Sequence, residues 1–131
     1  MNINWKPNYI PGDLVYNHKG EVIRITSSYL KGTKLFYYKT DEIGGSIGCI
    51  LEEALKPIPL TPEILEKNGW EFYHGFYCSP NEECAGICLS SQTGYVWDAF
   101  IAGHTLRSGI NSVSDLQHLL FGLGINHEME V

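Results

Sequence analysis

The sequence predicts an α+β fold that is predominantly antiparallel β, and three observations lead to this class. Short runs of β-branched and aromatic residues recur at intervals of about ten residues, and turn residues separate them. Aromatic residues make up 12% of the 131 residues and charged residues only 18%, a balance that favours strands over a helical bundle. Helix signals are confined to two segments, residues 61–69 and 112–124.

Four short strands, separated by turns and loops, are predicted in the first half of the chain. They cover residues 14–16, 21–27, 34–39 and 46–51. Gly20 favours a tight hairpin between the first two strands. This spacing is typical of a small barrel or a meander. We therefore predict a barrel-like N-terminal β unit over residues 1–55.

Residues 56–69 predict an extended spacer that leads into a short helix. Pro57 and Pro59 lack backbone donors and fix φ, which excludes a central strand. Thr61 suits the N-cap, and the proline after it suits the first helical position. Gly69 can adopt the left-handed conformation that ends a helix.

A β meander and one C-terminal helix are predicted over residues 70–131. Its predicted strands cover the aromatic run 70–77, then 83–90, 95–102 and 104–107. Ser112 opens the helix with a sequence close to a capping box. The apolar stripe of that helix consists of Val113, Leu116, Leu119, Leu120 and Leu123. The three predicted regions form separate units or one compact domain.

Two segments carry a resemblance to a family. Residues 58–69, IPLTPEILEKNG, and residues 113–119, VSDLQHL, resemble segments shared by small uncharacterised proteins of Bacteroides-type bacteria, their phages and their mobile elements. The family motif often has His-Gln where this chain has Ser114-Asp115. The resemblance implies a phage or mobile-element context, and it implies no catalytic residues.

Charge and composition make several function classes unfavourable. The net charge of −6 is opposite to the basic surface that nucleic-acid binding needs, so no nucleic acid is expected. Most of the nine basic residues lie in the first half of the chain, which leaves a local basic face there as an alternative. No apolar run approaches the ~20 residues of a membrane span, and no signal peptide is recognisable. We therefore expect a cytoplasmic protein with reduced cysteines.

Cys78, Cys84 and Cys88, with His74 upstream, are the only candidates for a metal site. Zinc sites usually include two cysteines separated by two to four residues, and Cys84 and Cys88 fit this spacing loosely. On one strand these two side chains would be about 13 Å apart, too far for one metal. The alternative is that the cysteines are small buried apolar residues, and we predict no metal and no cofactor.

A cysteine nucleophile is a further alternative. It would need a histidine such as His74 or His104 as the base and an orienting group such as Asp98. These residues would define a small Cys/His hydrolase, but no local catalytic signature accompanies them. We therefore expect no enzymatic activity.

Two sets of residues are candidates for ligand binding. Gly44 and Gly45 could present backbone N–H groups to an anion, although a hairpin loop explains them better. The aromatic candidates, which could stack on a planar ligand, are Trp70, Tyr73, Tyr77, Tyr95 and Trp97. A core or an oligomer interface explains these aromatic residues equally well.

The sequence therefore predicts a non-enzymatic binding or interaction protein. Its expected partners are a host protein, a second copy in a homo-oligomer, or a nucleotide or other planar small molecule. One alternative function is phage counter-defence by sequestering a nucleotide signal. No membrane partner is expected.

Overall fold

The computed structural model describes residues 8–31, 34–40, 47–80 and 86–131. It confirms an α+β fold in which antiparallel strands dominate. The chain divides into two compact units, Met1–Ile58 and Pro59–Val131. No helix among the described residues is long and apolar enough to cross a membrane.

The first unit is a five-stranded antiparallel sheet in the order β4-β3-β2-β1-β5. Its strands are β1 (Leu14–Tyr16), β2 (Val22–Lys31), β3 (Lys34–Thr40), β4 (Ile47–Leu51) and β5 (Lys56–Pro57). A 3-10 helix, Glu52–Ala54, lies between the last two strands. Within the described ranges the sheet does not close, because β4 and β5 are its two edges. The predicted barrel-like unit is thus an open sheet.

Local polar contacts and a small apolar core hold this sheet together. Val15, Ile23, Ile25 and Leu55 form a buried cluster. At the turn between β1 and β2, the side-chain oxygen of Asn17 accepts hydrogen bonds from two backbone N–H groups at 2.9 Å. This side chain satisfies donors that the hairpin turn leaves without a strand partner.

The predicted spacer contributes to both units. Lys56–Pro57 forms the edge strand β5, a position that tolerates the missing proline donor. The short helix is α1 (Pro62–Lys67), and its N-cap Thr61 accepts a hydrogen bond from the Ile64 N–H at 3.3 Å. Gly69 follows α1 with φ of 84°, as the sequence predicts.

The second unit contains a five-stranded antiparallel meander in the order β10-β9-β8-β7-β6. Its strands are β6 (Glu71–Tyr73), β7 (Phe76–Cys78), β8 (Cys88–Ser90), β9 (Trp97–Ile101) and β10 (His104–Ile110). The inner face of the meander is defined by the buried side chains of Leu89, Trp97 and Ala99. Its outer face carries the residues that alternate with them, including Cys88 and Phe100.

The helix α2 (Val113–Gly122) completes the second unit. Ser112 caps it as predicted, and its hydroxyl accepts from the Asp115 N–H at 3.1 Å. Of the predicted apolar stripe, Val113, Leu116 and Leu120 are buried, whereas Leu123 is exposed. Residues 125–131 form no strand; side chains of α2 and of the end of α1 hold their backbone instead.

Candidate binding surface

The aromatic run at residues 70–77 is a hairpin and not the single strand that the sequence predicts. His74 and Gly75 form its two-residue turn, and their φ angles are 49° and 86°. Two consecutive residues with positive φ are typical of the type I′ turn, whose twist matches that of paired strands. The turn pairs Tyr73 with Phe76 across the hairpin.

Three aromatic side chains of this hairpin are exposed to solvent. Phe72 is 63% exposed, Tyr73 is 65% exposed and Phe76 is 39% exposed. Phe72 lies on the inner face of the sheet, at its margin, and the other two lie on the outer face. We call these three residues the aromatic hairpin surface. Three exposed apolar side chains on one edge hairpin make it a candidate interaction site.

A row of rings anchors this surface to the core. The Phe72 and Tyr77 ring centroids are 5.1 Å apart, and those of Tyr77 and Trp97 are 5.8 Å apart. Trp97 is buried, and its indole N–H donates to the Leu60 carbonyl at 2.9 Å. Edge-to-face and tilted ring pairs of this kind are favourable beyond the area that they bury. The inner end of the row is therefore structural, and its outer end reaches solvent.

The outer face continues from the hairpin across β7, β8 and β9. The rings of Phe76 and Phe100 meet edge to face with centroids 6.1 Å apart. Cys78 and Cys88 lie directly opposite each other, with their Sγ atoms 3.7 Å apart. Both thiols are half-buried. Between the hairpin and β9, the outer face thus carries an apolar strip formed by these four residues.

The strand β6 is an edge of the sheet, since among the described strands it pairs only with β7. Tyr73 and Phe76 flank a two-residue turn, so they form the hydrogen-bonded pair of the antiparallel ladder. The next pair, Phe72 and Tyr77, is then the non-hydrogen-bonded one. The backbone N–H and C=O of Phe72 therefore point away from β7, towards the open edge.

Acidic groups lie beside the aromatic hairpin surface. The Tyr77 hydroxyl donates to Oε1 of Glu66 at 3.2 Å. Partial burial raises the pKa of Tyr77 above its usual value, and the nearby negative charges of Glu66 and Glu63 raise it further. Glu71, on β6 itself, is exposed. The potential at this surface is therefore negative.

The charge of the second unit has the same sign. Residues 59–131 contain nine acidic and two basic residues, a formal net charge of −7 with histidines neutral. Both basic side chains are engaged. Lys67 donates to the Val131 carbonyl at 2.9 Å, and Arg107 lies 3.6 Å from Asp115. An anionic ligand at this surface would meet repulsion from the surrounding carboxylates.

The structure places the aromatic ligand-binding candidates in different environments. Trp70 and Trp97 are buried, and Tyr77 is half-buried between Phe72 and Trp97. Tyr73 belongs to the aromatic hairpin surface. Tyr95 is 77% exposed in the loop that precedes β9, at the end of the sheet where the His74-Gly75 turn also lies. Gly44 and Gly45 lie outside the described residues.

Two of the cysteine candidates, Cys78 and Cys88, form a close pair. Cys84 lies outside the described residues. The His74 ring meets the Tyr73 ring edge to face, at a centroid distance of 4.0 Å. In the part of the chain that the structure describes, no three metal-ligating side chains converge. Burial raises the pKa of the Cys88 thiol, and the hydrogen bond and charge of Cys78 add to this rise. A raised pKa works against the thiolate that a nucleophile requires.

Comparison of the chain with protein-family models, with curated proteins and with solved structures finds no match in any of the three. Sequence reasoning missed the hairpin turn and the contact between Cys78 and Cys88. The signal for both was the His74-Gly75 dipeptide, because a glycine after a residue that tolerates positive φ marks a tight turn. A turn there sets the register of β7.

Proposed function

We propose that this chain is a non-enzymatic interaction protein that binds a basic, extended segment of a protein partner through the aromatic hairpin surface. The exposure of Phe72, Tyr73 and Phe76 on one edge hairpin is the observation that carries this proposal. The proposal places the protein in the cytoplasm. The resemblance of residues 58–69 and 113–119 to phage and mobile-element proteins supports a host protein as the partner.

The open edge of β6 supports an extended partner. The outward backbone N–H and C=O of Phe72 can pair with a strand added beside it, as in other complexes formed by strand addition. Tyr73 and Phe72 would then flank the added strand on opposite faces of the sheet. Main-chain hydrogen bonds would supply affinity, and the flanking rings would select apolar side chains.

The charge of the surface supports a basic partner. Glu66 and Glu71 are exposed beside the rings. The negative charges of Glu66 and Glu63 both raise the pKa of Tyr77. Lysine or arginine side chains of a partner would gain attraction from these carboxylates and from the faces of the exposed rings. A second copy of this chain would bring two negative surfaces together, and these would repel each other. A nucleotide would bring negatively charged phosphates, which the carboxylates would also repel. Both are therefore less favourable occupants than a basic peptide.

Selection of peptides from a random library on the immobilised protein tests this function. A variant with both Phe72→Ser and Tyr73→Ser serves for counter-selection. Phe121→Ser, which changes an exposed aromatic residue on α2, is the matched control. We expect selected peptides to be rich in lysine and arginine between apolar residues, and to bind the control variant normally.

Three results would overturn the proposal. They are the enrichment of acidic peptides, equal binding of the selected peptides to the double variant, and the absence of any selected peptide. Sedimentation of the free protein provides a further check. If the wild type self-associates and the double variant does not, the surface belongs to a homo-oligomer and the proposed partner is wrong.

A further inference from the structure

Cys78 and Cys88 lie at the centre of the outer face of the second sheet. They are directly opposite each other on β7 and β8, and their Sγ atoms are 3.7 Å apart. The proposed partner binding makes no use of these two thiols. The arrangement of the backbone around them indicates what the pair can do.

The ladder makes this pair the close type of cross-strand neighbour. The Ser79 N–H donates to the Ile87 carbonyl at 3.0 Å, so these two residues form a hydrogen-bonded pair. Hydrogen-bonded and non-hydrogen-bonded pairs alternate along antiparallel strands, so Cys78 and Cys88 form a non-hydrogen-bonded pair. The Cα atoms of such pairs are about 4.5 Å apart, within the range of about 4.4–6.8 Å that a disulfide spans.

We propose that Cys78 and Cys88 are a redox-active dithiol that a low-molecular-weight disulfide, such as glutathione disulfide, converts into an intramolecular disulfide. The Cys78 thiolate attacks a sulfur of the small disulfide, whose S–S bond breaks and releases one thiolate. Cys78 attacks first because burial raises the pKa of the Cys88 thiol. The second cysteine thiolate then attacks the protein sulfur of the mixed disulfide and releases the other thiolate. The two protons lost by the cysteines go to the two leaving thiolates, so one small disulfide is reduced as the protein dithiol is oxidised.

The half-burial of both sulfurs gives the small disulfide access while the strands hold the thiols together. The second step is intramolecular, so it should outpace the reaction of the mixed disulfide with free thiol. The new bond would tie β7 to β8 beside Phe76 and Phe100. The proposal stands on this geometry alone and does not depend on the proposed partner.

Incubation of the purified protein with glutathione disulfide, followed by alkylation and mass spectrometry, tests the dithiol. The double variant Cys49→Ser/Cys84→Ser keeps only the proposed pair. We expect it and the wild type to lose two hydrogen atoms and to yield a linked peptide containing Cys78 and Cys88. Variants with Cys78→Ser or Cys88→Ser should instead gain a glutathionyl group on the remaining partner.

Two results would overturn the proposal. One is a stable mixed disulfide in place of the linked peptide in the double variant. The other is a wild-type product that joins Cys84 to Cys78 or to Cys88. Circular dichroism of each variant shows whether it folds, and alanine versions replace any serine variant that does not. Addition of dithiothreitol should restore both hydrogens.

Discussion

The side chain of Asn68 pairs with the backbone of Glu130 in both directions. Its Nδ2 donates to the Glu130 carbonyl at 2.7 Å, and its Oδ1 accepts from the Glu130 N–H at 2.8 Å. The same Nδ2 also donates to the Ile64 carbonyl at 2.8 Å, at the end of α1. One amide side chain thus closes α1 and holds residues 125–131, which contain the buried Met129.

Substitution of Asn68 by Ala should destabilise the protein because it removes three hydrogen bonds at once. We expect a loss of about 1–3 kcal/mol in the free energy of unfolding, measured by urea denaturation. Asn126→Ala is the matched control, since its side chain accepts only a local bond from Glu128 at 3.1 Å in the described structure. Equal stability of the two variants would show that the pairing with Glu130 contributes nothing.

Substitutions of Gly75 and Gly122 by Ala should have opposite effects. Gly75 has φ of 86°, where an alanine Cβ costs about 1–2 kcal/mol even though no atom lies within 4 Å of it. Gly122 lies at the end of α2 in equally open space, with no positive φ. Alanine there should stabilise the protein by about 0.5–1 kcal/mol. A Gly75→Ala variant with a urea midpoint equal to or above that of the wild type would contradict the turn assignment.

Replacement of Trp97 by Phe should remove the indole N–H. The buried Leu60 carbonyl would then lose the hydrogen bond that it accepts from this group. We expect a loss of about 1–3 kcal/mol in the free energy of unfolding, the usual cost of a buried unsatisfied acceptor. Tyr95→Phe is the control, because Tyr95 is largely exposed. A Trp97→Phe variant as stable as this control would mean that the hydrogen bond to Leu60 is not formed.

Glu66→Gln should lower the pKa of Tyr77 towards its ordinary value of 10.0. Desolvation would still raise the pKa of Tyr77, but the negative charge of Glu66 would no longer add to the rise. Because folding raises this pKa, Tyr77 contributes stability below its unfolded pKa. That contribution is lost as the pH rises through the folded value. Removal of Glu66 should reduce this contribution.

Spectrophotometric titration of the phenols measures this shift. Subtracting the titration of the matching Tyr77→Phe variant isolates the single residue, and Glu128→Gln is a control carboxylate elsewhere on the second unit. An unchanged or higher pKa in Glu66→Gln would rule out the contact between Glu66 and Tyr77.

Features encoded within a few consecutive residues were predictable from the sequence. The caps Thr61 and Ser112 accept the hydrogen bonds that their positions predict, and Gly69 adopts positive φ. The first strand, residues 14–16, is present at its predicted bounds. In each case neighbouring residues supply the partner, so no tertiary information is needed.

Features that depend on pairing between distant residues were not predictable in this way. The run 70–77 was interpreted as one strand because its aromatic content suits a strand on either side of His74. The predicted strand at 95–102 begins at Trp97, and Tyr95 lies in the preceding loop. Gln117 is fully buried because its amide donates to the His127 carbonyl, a partner ten residues away. The aromatic hairpin surface itself becomes apparent only when the turn is known.

The affinity of a selected basic peptide for three forms of the protein tests the central claim most directly. These forms are the wild type, the Phe72→Ser/Tyr73→Ser variant and the Phe121→Ser control, compared by fluorescence anisotropy. We predict that the Kd of the double variant is at least about tenfold higher than that of the wild type, because buried aromatic contacts dominate such interfaces. The control should bind as the wild type does, and added salt should weaken binding. Equal affinity of all three forms would contradict the account.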